Sequence, residues 1–250
     1  MPTKFTSFFV FVLCFAAFSS ATTLSVSADD GQQPPPPLAP ETSSVRLDQP
    51  SNADQMVGAA GVGCGGETYG AYDAGFEQAI VEMVNELRAD EGLPPLKLIN
   101  DLTNAARYHA RDMAEDQYFN HHTHDWVEGE LMQACIWSDR IRNYYTNWGS
   151  LGENIARGYS TPEGAMAGWI RSEGHHENML DDYREIGIGY YHLYWVQNFG
   201  ARGDVYPIVI NGEKASTGDR QVAVYAYGDW EQIRFRNGNG SWSPWQAFAN

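Results

Sequence analysis

Five of the chain's seven histidines fall in two short clusters: His121, His122 and His124 in YFNHHTHD, and His175 and His176 in SEGHHENML. Neutral imidazole is a good zinc ligand, and it also carries protons near neutral pH. Between the clusters stands Glu153, framed by Gly152 and Asn154 in LGENIARG. A glutamate there can complete a metal site, hold a metal-bound water or orient an imidazole. It can equally bond to backbone amides and brace the loops. The pattern points to one polar cleft assembled from distant segments. It contains no H-E-x-x-H, so the helix signal of zinc proteases is absent. Ser172 next to His175 invites a nucleophile reading with Glu153 as third partner. No sharp nucleophile turn surrounds it, however, and a serine at a helix end usually caps or faces water. His109 stands in register with Ala105 and Met113 and reads as a buried helix histidine bonded to backbone or a neighbour. His122 and His124 read as loop residues, His176 as exposed, and Asn154 and Asn178 as loop braces.

Four helices, one of them short, and a strand pair must position these groups. A helix is expected over 75–90, where Phe76, Ile80, Val84 and Leu87 share a face and Gly92 with Pro94-Pro95 stops it. A second is expected over 101–116, capped by Asn100 or Asp101, with Leu102, Ala105, Ala106, His109, Ala110 and Met113 as its buried stripe. Residues 117–135 read as polar loop or short turns, and 136–146 as a short helix. A further helix begins at Thr161-Pro162, where threonine caps and proline fits the first turn. Residues 184–192 and 194–199 read as two strands joined by a tight turn, with Ile186 and Ile188 alternating with glycine. Helices first and strands later argue for an α+β fold. The runs VYPIVI, QVAVYAYG and EQIRFRN, with Trp242 and Trp245 in SWSPWQAF, read as a β-hairpin extension over 201–250. The tryptophans serve there either as a sugar- or peptide-stacking face or as the core of a short β segment.

The chain has 250 residues and a formal net charge of −16. Residues 1–28 read as an export signal, with Lys4 before an apolar run over 8–18 and small residues at Val26-Ser27-Ala28. No later stretch approaches the length a membrane span needs, so no transmembrane segment is expected once the signal is removed. Removal takes away one lysine and no acid, and so acidic a surface repels phosphate backbones: nucleic acid is excluded as an expected partner. Residues 29–60, with Pro34 to Pro37 in a row, read as a disordered proline-rich linker. Export leaves Cys64 and Cys135, and an oxidising compartment invites them to form one disulfide, the alternative being two inert thiols.

The segments IVEMVNELRADEGLPPLKLINDLTNAARYHARDMAEDQYFNHHTHD, LGENIARGYSTPEGAMAGWIRSEGHHENML and IGIGYYHLYWVQNFG, in that order, resemble the CAP domain family of cysteine-rich secretory, antigen 5 and pathogenesis-related proteins, in its short bacterial-type branch. The resemblance implies a three-layer α-β-α sandwich over residues 61–200 with a central cleft. It aligns His121 and His175 with the cleft histidines and Glu153 with the acid of the GEN motif. Ser172 stands where many eukaryotic members carry a second cleft glutamate. It implies a secreted, non-enzymatic protein whose cleft binds a divalent metal, zinc first, through His121 and His175, or else a small-molecule, lipid or protein ligand. Glu153 and Ser172 would support the cleft. Two other readings stand beside it: a secreted hydrolase using metal-activated water or a histidine, and an adhesion or scaffold protein acting through residues 201–250.

Overall fold

A computed structural model gives the fold of residues 10–12, 45–48 and 63–249. The segments expected to be signal and linker fall almost wholly outside these residues. The exceptions are two strands, β1 (Val10–Val12) and β2 (Val45–Asp48). The chain divides into a larger unit, Pro34–Tyr225, and a smaller one holding Met1–Gln33 and Ala226–Asn250.

In the larger unit, α1 (Ala74–Asp90) starts where the Asp73 side chain accepts the Phe76 N–H at 3.0 Å. The chain then forms β3 (Lys97–Leu98) and enters α2 (Asn100–Glu115). The expected cap at Asn100 or Asp101 is not formed. Ile99 takes the cap position without a side-chain bond, and its N–H donates to the Ile186 carbonyl, so strand pairing fixes the entry to the helix. All six residues of the anticipated α2 stripe are fully buried. Where a polar loop was expected, β4 (Thr123–Val127) and β5 (Glu130–Cys135) form an antiparallel hairpin. Glu128 and Gly129 at its turn both have positive φ, the backbone that matches strand twist in a two-residue loop.

After α3 (Trp137–Arg142) come β6 (Ser150–Arg157), α4 (Pro162–Ile170), α5 (Glu173–Leu180), β7 (Glu185–Tyr191) and β8 (Tyr194–Ala201). Thr161 caps α4 as the sequence predicts, its hydroxyl accepting the Gly164 N–H at 3.1 Å. The sheet order is β2-β6-β8-β7-β3. The pairs β6–β8, β7–β8 and β2–β6 are antiparallel, whereas β3 and β7 are parallel. Thus residues 45–48, inside the expected linker, pair along an edge of β6 that would otherwise expose unpaired backbone groups.

The sheet is covered on both faces. On one, Ile80, Val84, Trp169 and Met179 from α1, α4 and α5 meet Ile186, Ile188, Trp195 and Phe199. On the other, Leu102 and Ala105 of α2 and Ile141 of α3 pack on Leu151, while Ala106, Ala110 and Met113 pack on Ile155 and Val196. This is an α+β fold, a three-layer α-β-α sandwich. Gly187 and Gly189 explain how close the second layer lies: a Cβ on either would overlap the α2 backbone at Leu102 and Ala106. Cys64 and Cys135 form a disulfide with Cα atoms 5.2 Å apart, tying the segment before α1 to the end of β5.

Residues 201–225, which the sequence groups with a C-terminal extension, lie in the larger unit. They contribute β9 (Ile208–Ile210) and a single helical turn over Asn211–Glu213, and β10 (Val224–Ala226) follows. Asn85 donates to the Gly212 carbonyl at 2.9 Å, and Lys97 pairs with Glu213 at 2.8 Å. In the smaller unit, β11 (Gln232–Ile233) pairs antiparallel with β13 (Gln246–Ala247), and β12 (Phe235–Asn237) pairs parallel with β1. Trp242 and Trp245 lie each 4.5 Å from the Arg234 guanidinium, so their faces are occupied by a packing contact within the unit.

Candidate functional site

The three residues singled out by the sequence come from three elements that the sandwich brings together. His121 follows α2, just past a turn made by Gln117 at φ 57°. Glu153 lies in β6. Leu151 and Ile155 on either side of it face α2 and α3, so strand alternation points Glu153 toward that layer too. His175 lies in the first turn of α5. All three are buried, His175 and Glu153 completely.

Glu153 joins the network by both oxygens. Its Oε1 lies 2.9 Å from His121 Nδ1, and its Oε2 accepts from an Arg140 terminal nitrogen. The Asn198 amide, turned to satisfy its neighbours, also donates to Oε2 at 3.0 Å and accepts the Ala106 N–H at 3.1 Å. Burial, the largest single influence, pushes the Glu153 carboxyl up, but the Arg140 guanidinium, His109 and the His121 hydrogen bond together outweigh it and hold the group at about 2. Glu153 is therefore ionised and can only accept hydrogen bonds. The proton of the Glu153 bond consequently sits on His121 Nδ1. In the neutral ring, Nε2 is then a bare lone pair, and that atom is buried with no hydrogen-bond partner.

His175 is also engaged at Nδ1, here by a hydroxyl that can donate or accept. Its Nδ1 lies 2.7 Å from Ser172 Oγ, and its Nε2 is buried with no partner. Burial first and the neighbouring His121 imidazole second lower its pKa to about 4, so the His175 ring is neutral at neutral pH. Asn178 and Asn154 hold the α5 backbone to β6. Asn154 donates to the His175 carbonyl at 3.0 Å and to Gln197 at 2.9 Å, and Asn178 donates to Asn154 at 3.0 Å and the Glu153 carbonyl at 3.3 Å. They brace strand to helix rather than a loop.

The geometry separates the rival chemistries. Ser172 and His175 do meet, but the carboxylate of Glu153 is bonded to His121 and Arg140. A Ser172–His175–Glu153 relay is therefore not assembled. With both of its oxygens engaged, Glu153 orients an imidazole and is not a free ligand. His109 is wholly buried, with Nε2 2.9 Å from the Asn120 carbonyl, as its helix register predicts. His122 and His124 are half-buried, and His124 Nδ1 bonds to the His122 carbonyl at 2.9 Å. His176, expected to be exposed, is half-buried.

Arg140 and Asn198 were not anticipated. Arg140 lies in α3, where WSDRIR carries an ordinary amphipathic mix, and no local pattern marks one arginine as the buried one. A second polar feature also went unforeseen. A cavity of about 400 Å³ is bordered by Glu67, Tyr69, Asp112, Asp116, Asp125 and Trp126. Carboxylate oxygens of Asp112, Asp116 and Asp125 lie within 4.8 Å of one another. Burial raises Asp112 to about 7, although the Tyr118 hydroxyl donates to it and opposes the rise.

The family model described as CAP, the cysteine-rich secretory protein family, matches residues 81–199. Two Bacillus subtilis proteins are similar. "Uncharacterized protein YkwD" is 32% identical over 127 residues, half of this chain and 46% of that protein. "Uncharacterized membrane protein YlbC" is 33% identical over 124 residues, 49% of this chain and 34% of that protein. The chain thus spans less than half the length of these relatives. Among solved structures, an extracellular protein containing an SCP domain from Bacillus anthracis is 30% identical with a TM-score of 0.46, covering 51% of this chain and 41% of its own. The stretch matched by the family model runs from α1 through β8 and contains His121, Glu153 and His175, so residues 81–199 are a CAP domain of the cysteine-rich secretory protein type.

Proposed function

We propose that this is an exported CAP protein that binds a divalent cation, zinc in the first instance, through His121 Nε2 and His175 Nε2, and that it acts as a binding protein rather than an enzyme. The observation that carries the reading is the matched pair of buried, partnerless Nε2 atoms on rings whose Nδ1 atoms are already engaged by Glu153 and Ser172. A buried nitrogen without a partner is costly. Engaging one imidazole nitrogen with a carboxylate or hydroxyl while the other faces a cation is the usual support of a histidine metal site. Two imidazoles suit zinc. In this reading the described residues supply two ligands, so positions remain for water or for an oxygen atom of a small-molecule, lipid or protein ligand. Bound there, the ion would act as a Lewis acid toward such an oxygen. Export accords with the apolar N-terminal run and the Cys64–Cys135 pair. No helix among the described residues is long and apolar enough to cross a membrane.

Zinc titration of the full chain by calorimetry tests the reading. Wild type should bind one equivalent. His121→Ala and His175→Ala should each weaken binding at least tenfold, about 1.4 kcal/mol. Equal binding by all three proteins would remove both ligands from the proposal. A hydrolase would instead turn over a peptide library in a His121- and His175-dependent manner.

A further inference from the structure

We propose that Arg140 is the positioning residue of this site: it fixes which nitrogen of His121 is left bare. The inference rests on the His121–His175 reading above for its purpose, though not for its geometry. Arg140 is wholly buried in α3, and its guanidinium spans the two things that determine the state of the His121 ring. One terminal nitrogen donates to the His121 carbonyl at 2.8 Å and to Thr123 Oγ1 at 3.1 Å. The other donates to Glu153 Oε2. The same rigid fork thus holds the backbone that carries the ring and the far oxygen of the carboxylate that the ring bonds to.

With Oε2 held, Oε1 is the oxygen that reaches His121 Nδ1, and as a salt-bridged carboxylate oxygen it can only accept. The hydrogen is therefore placed on Nδ1, and the lone pair on Nε2. Without the guanidinium, the buried carboxylate loses the partner that compensates its charge and fixes its rotation. The ring can then adopt the other tautomer, with an N–H on Nε2 where a cation would need a lone pair. Lysine does not reproduce the arrangement, because a single ammonium cannot span the carbonyl and the carboxylate in one plane. The backbone of the segment is held from a second side, since His109 Nε2 bonds the Asn120 carbonyl. Loss of Arg140 therefore acts on the ring more than on the course of the chain.

The experiment is nitrogen-15 NMR of the histidine rings in the full chain without added metal, on wild type, Arg140→Met and Arg140→Lys, with a zinc titration of the same samples. Wild-type His121 should be a single tautomer with hydrogen on Nδ1. Arg140→Met should show a mixture or the reverse tautomer, and Arg140→Lys should lie between. Zinc affinity should fall about 10–100-fold in Arg140→Met, the usual cost of removing an outer partner of a metal-bound histidine. Should Arg140→Met fail to fold, Arg140→Lys is compared in wild-type and Glu153→Gln chains. If Arg140 acts through Glu153, the lysine change alters the His121 tautomer only where Glu153 is present. A folded Arg140→Met protein with the wild-type tautomer, or equal effects in both backgrounds, overturns the assignment. A tautomer change in a protein whose wild type takes up no zinc sustains the positioning role and removes the metal reading instead.

Discussion

Protonation acts on this molecule with opposite signs at different residues. His175 is held at about 4 against the ordinary 6.5, so below pH 6.5 the unfolded chain binds more protons than the folded one. Stability tied to neutral His175 is complete above pH 6.5 and lost as pH falls toward 4. Glu153, at about 2 against 4.5, follows at lower pH: its contribution is complete above 4.5 and lost toward 2. Asp112 runs the other way. Raised from 3.8 to about 7, it binds protons in the folded state that the unfolded chain releases, so between those values stability falls as pH rises. Asp112→Asn should therefore raise the Tm by a few degrees at pH 8 and give no gain at pH 4. Thermal unfolding at the two pH values checks this, and a gain independent of pH would exclude the carboxylate as its cause. His121, Glu153 and His175 were legible in the sequence because their residue types are rare together and their flanking motifs are ordered. Arg140 and Asn198 were not, because a buried charge is recognised only by the long-range partner that neutralises it.

Helices and strands differ in how plainly they write themselves. The stripe of α2 is complete in the sequence, and all of it is buried. β6 was not recognised as a strand, since Leu151 to Ala156 are buried on both faces and include the polar Glu153 and Asn154, which hides any alternation. α5 does not announce itself in the sequence, because GHHENML carries no apolar stripe; beside Met179 in the core, it is held by Asn154 and Asn178. The β4–β5 hairpin lacks the Asn-Gly signal and turns on Glu128-Gly129, with Trp126 and Met132 more than half exposed. Two substitutions test the elements. Gly187→Ala should cost about 1–3 kcal/mol or more, because the new methyl meets α2 backbone that cannot rotate away. Asp73→Ala should cost about 1 kcal/mol by leaving the Phe76 N–H without its acceptor. Urea unfolding measures both, and a neutral Gly187→Ala would contradict the close approach of helix and sheet.

For the molecule as a whole, the Cys64–Cys135 bond closes 71 residues of separation. On the chain-entropy account its reduction should remove about 4 kcal/mol. The Tm with and without a reductant checks this; no change would mean that the loop 63–73 adds nothing to the domain. That loop is also held by Asn143 on the Cys64 carbonyl and Tyr144 on the Glu67 carbonyl. The α+β class and the sandwich were readable from the order of helices and strands together with the family resemblance. The place where the domain ends was not, because residues 201–225 are β-rich in sequence, and only their bonds to α1 and β3 reveal which body they join. The position of β8 carries a further consequence. It runs between β6 and β7, roofed by helices above and below. Its amide hydrogens, and those of β6 that bond to it, can meet heavy water only when the entire sandwich comes apart. Deuterium uptake around Glu153 should therefore keep the slowest clock in the chain, so that the carboxylate behind His121 stands on ground as firm as the protein possesses.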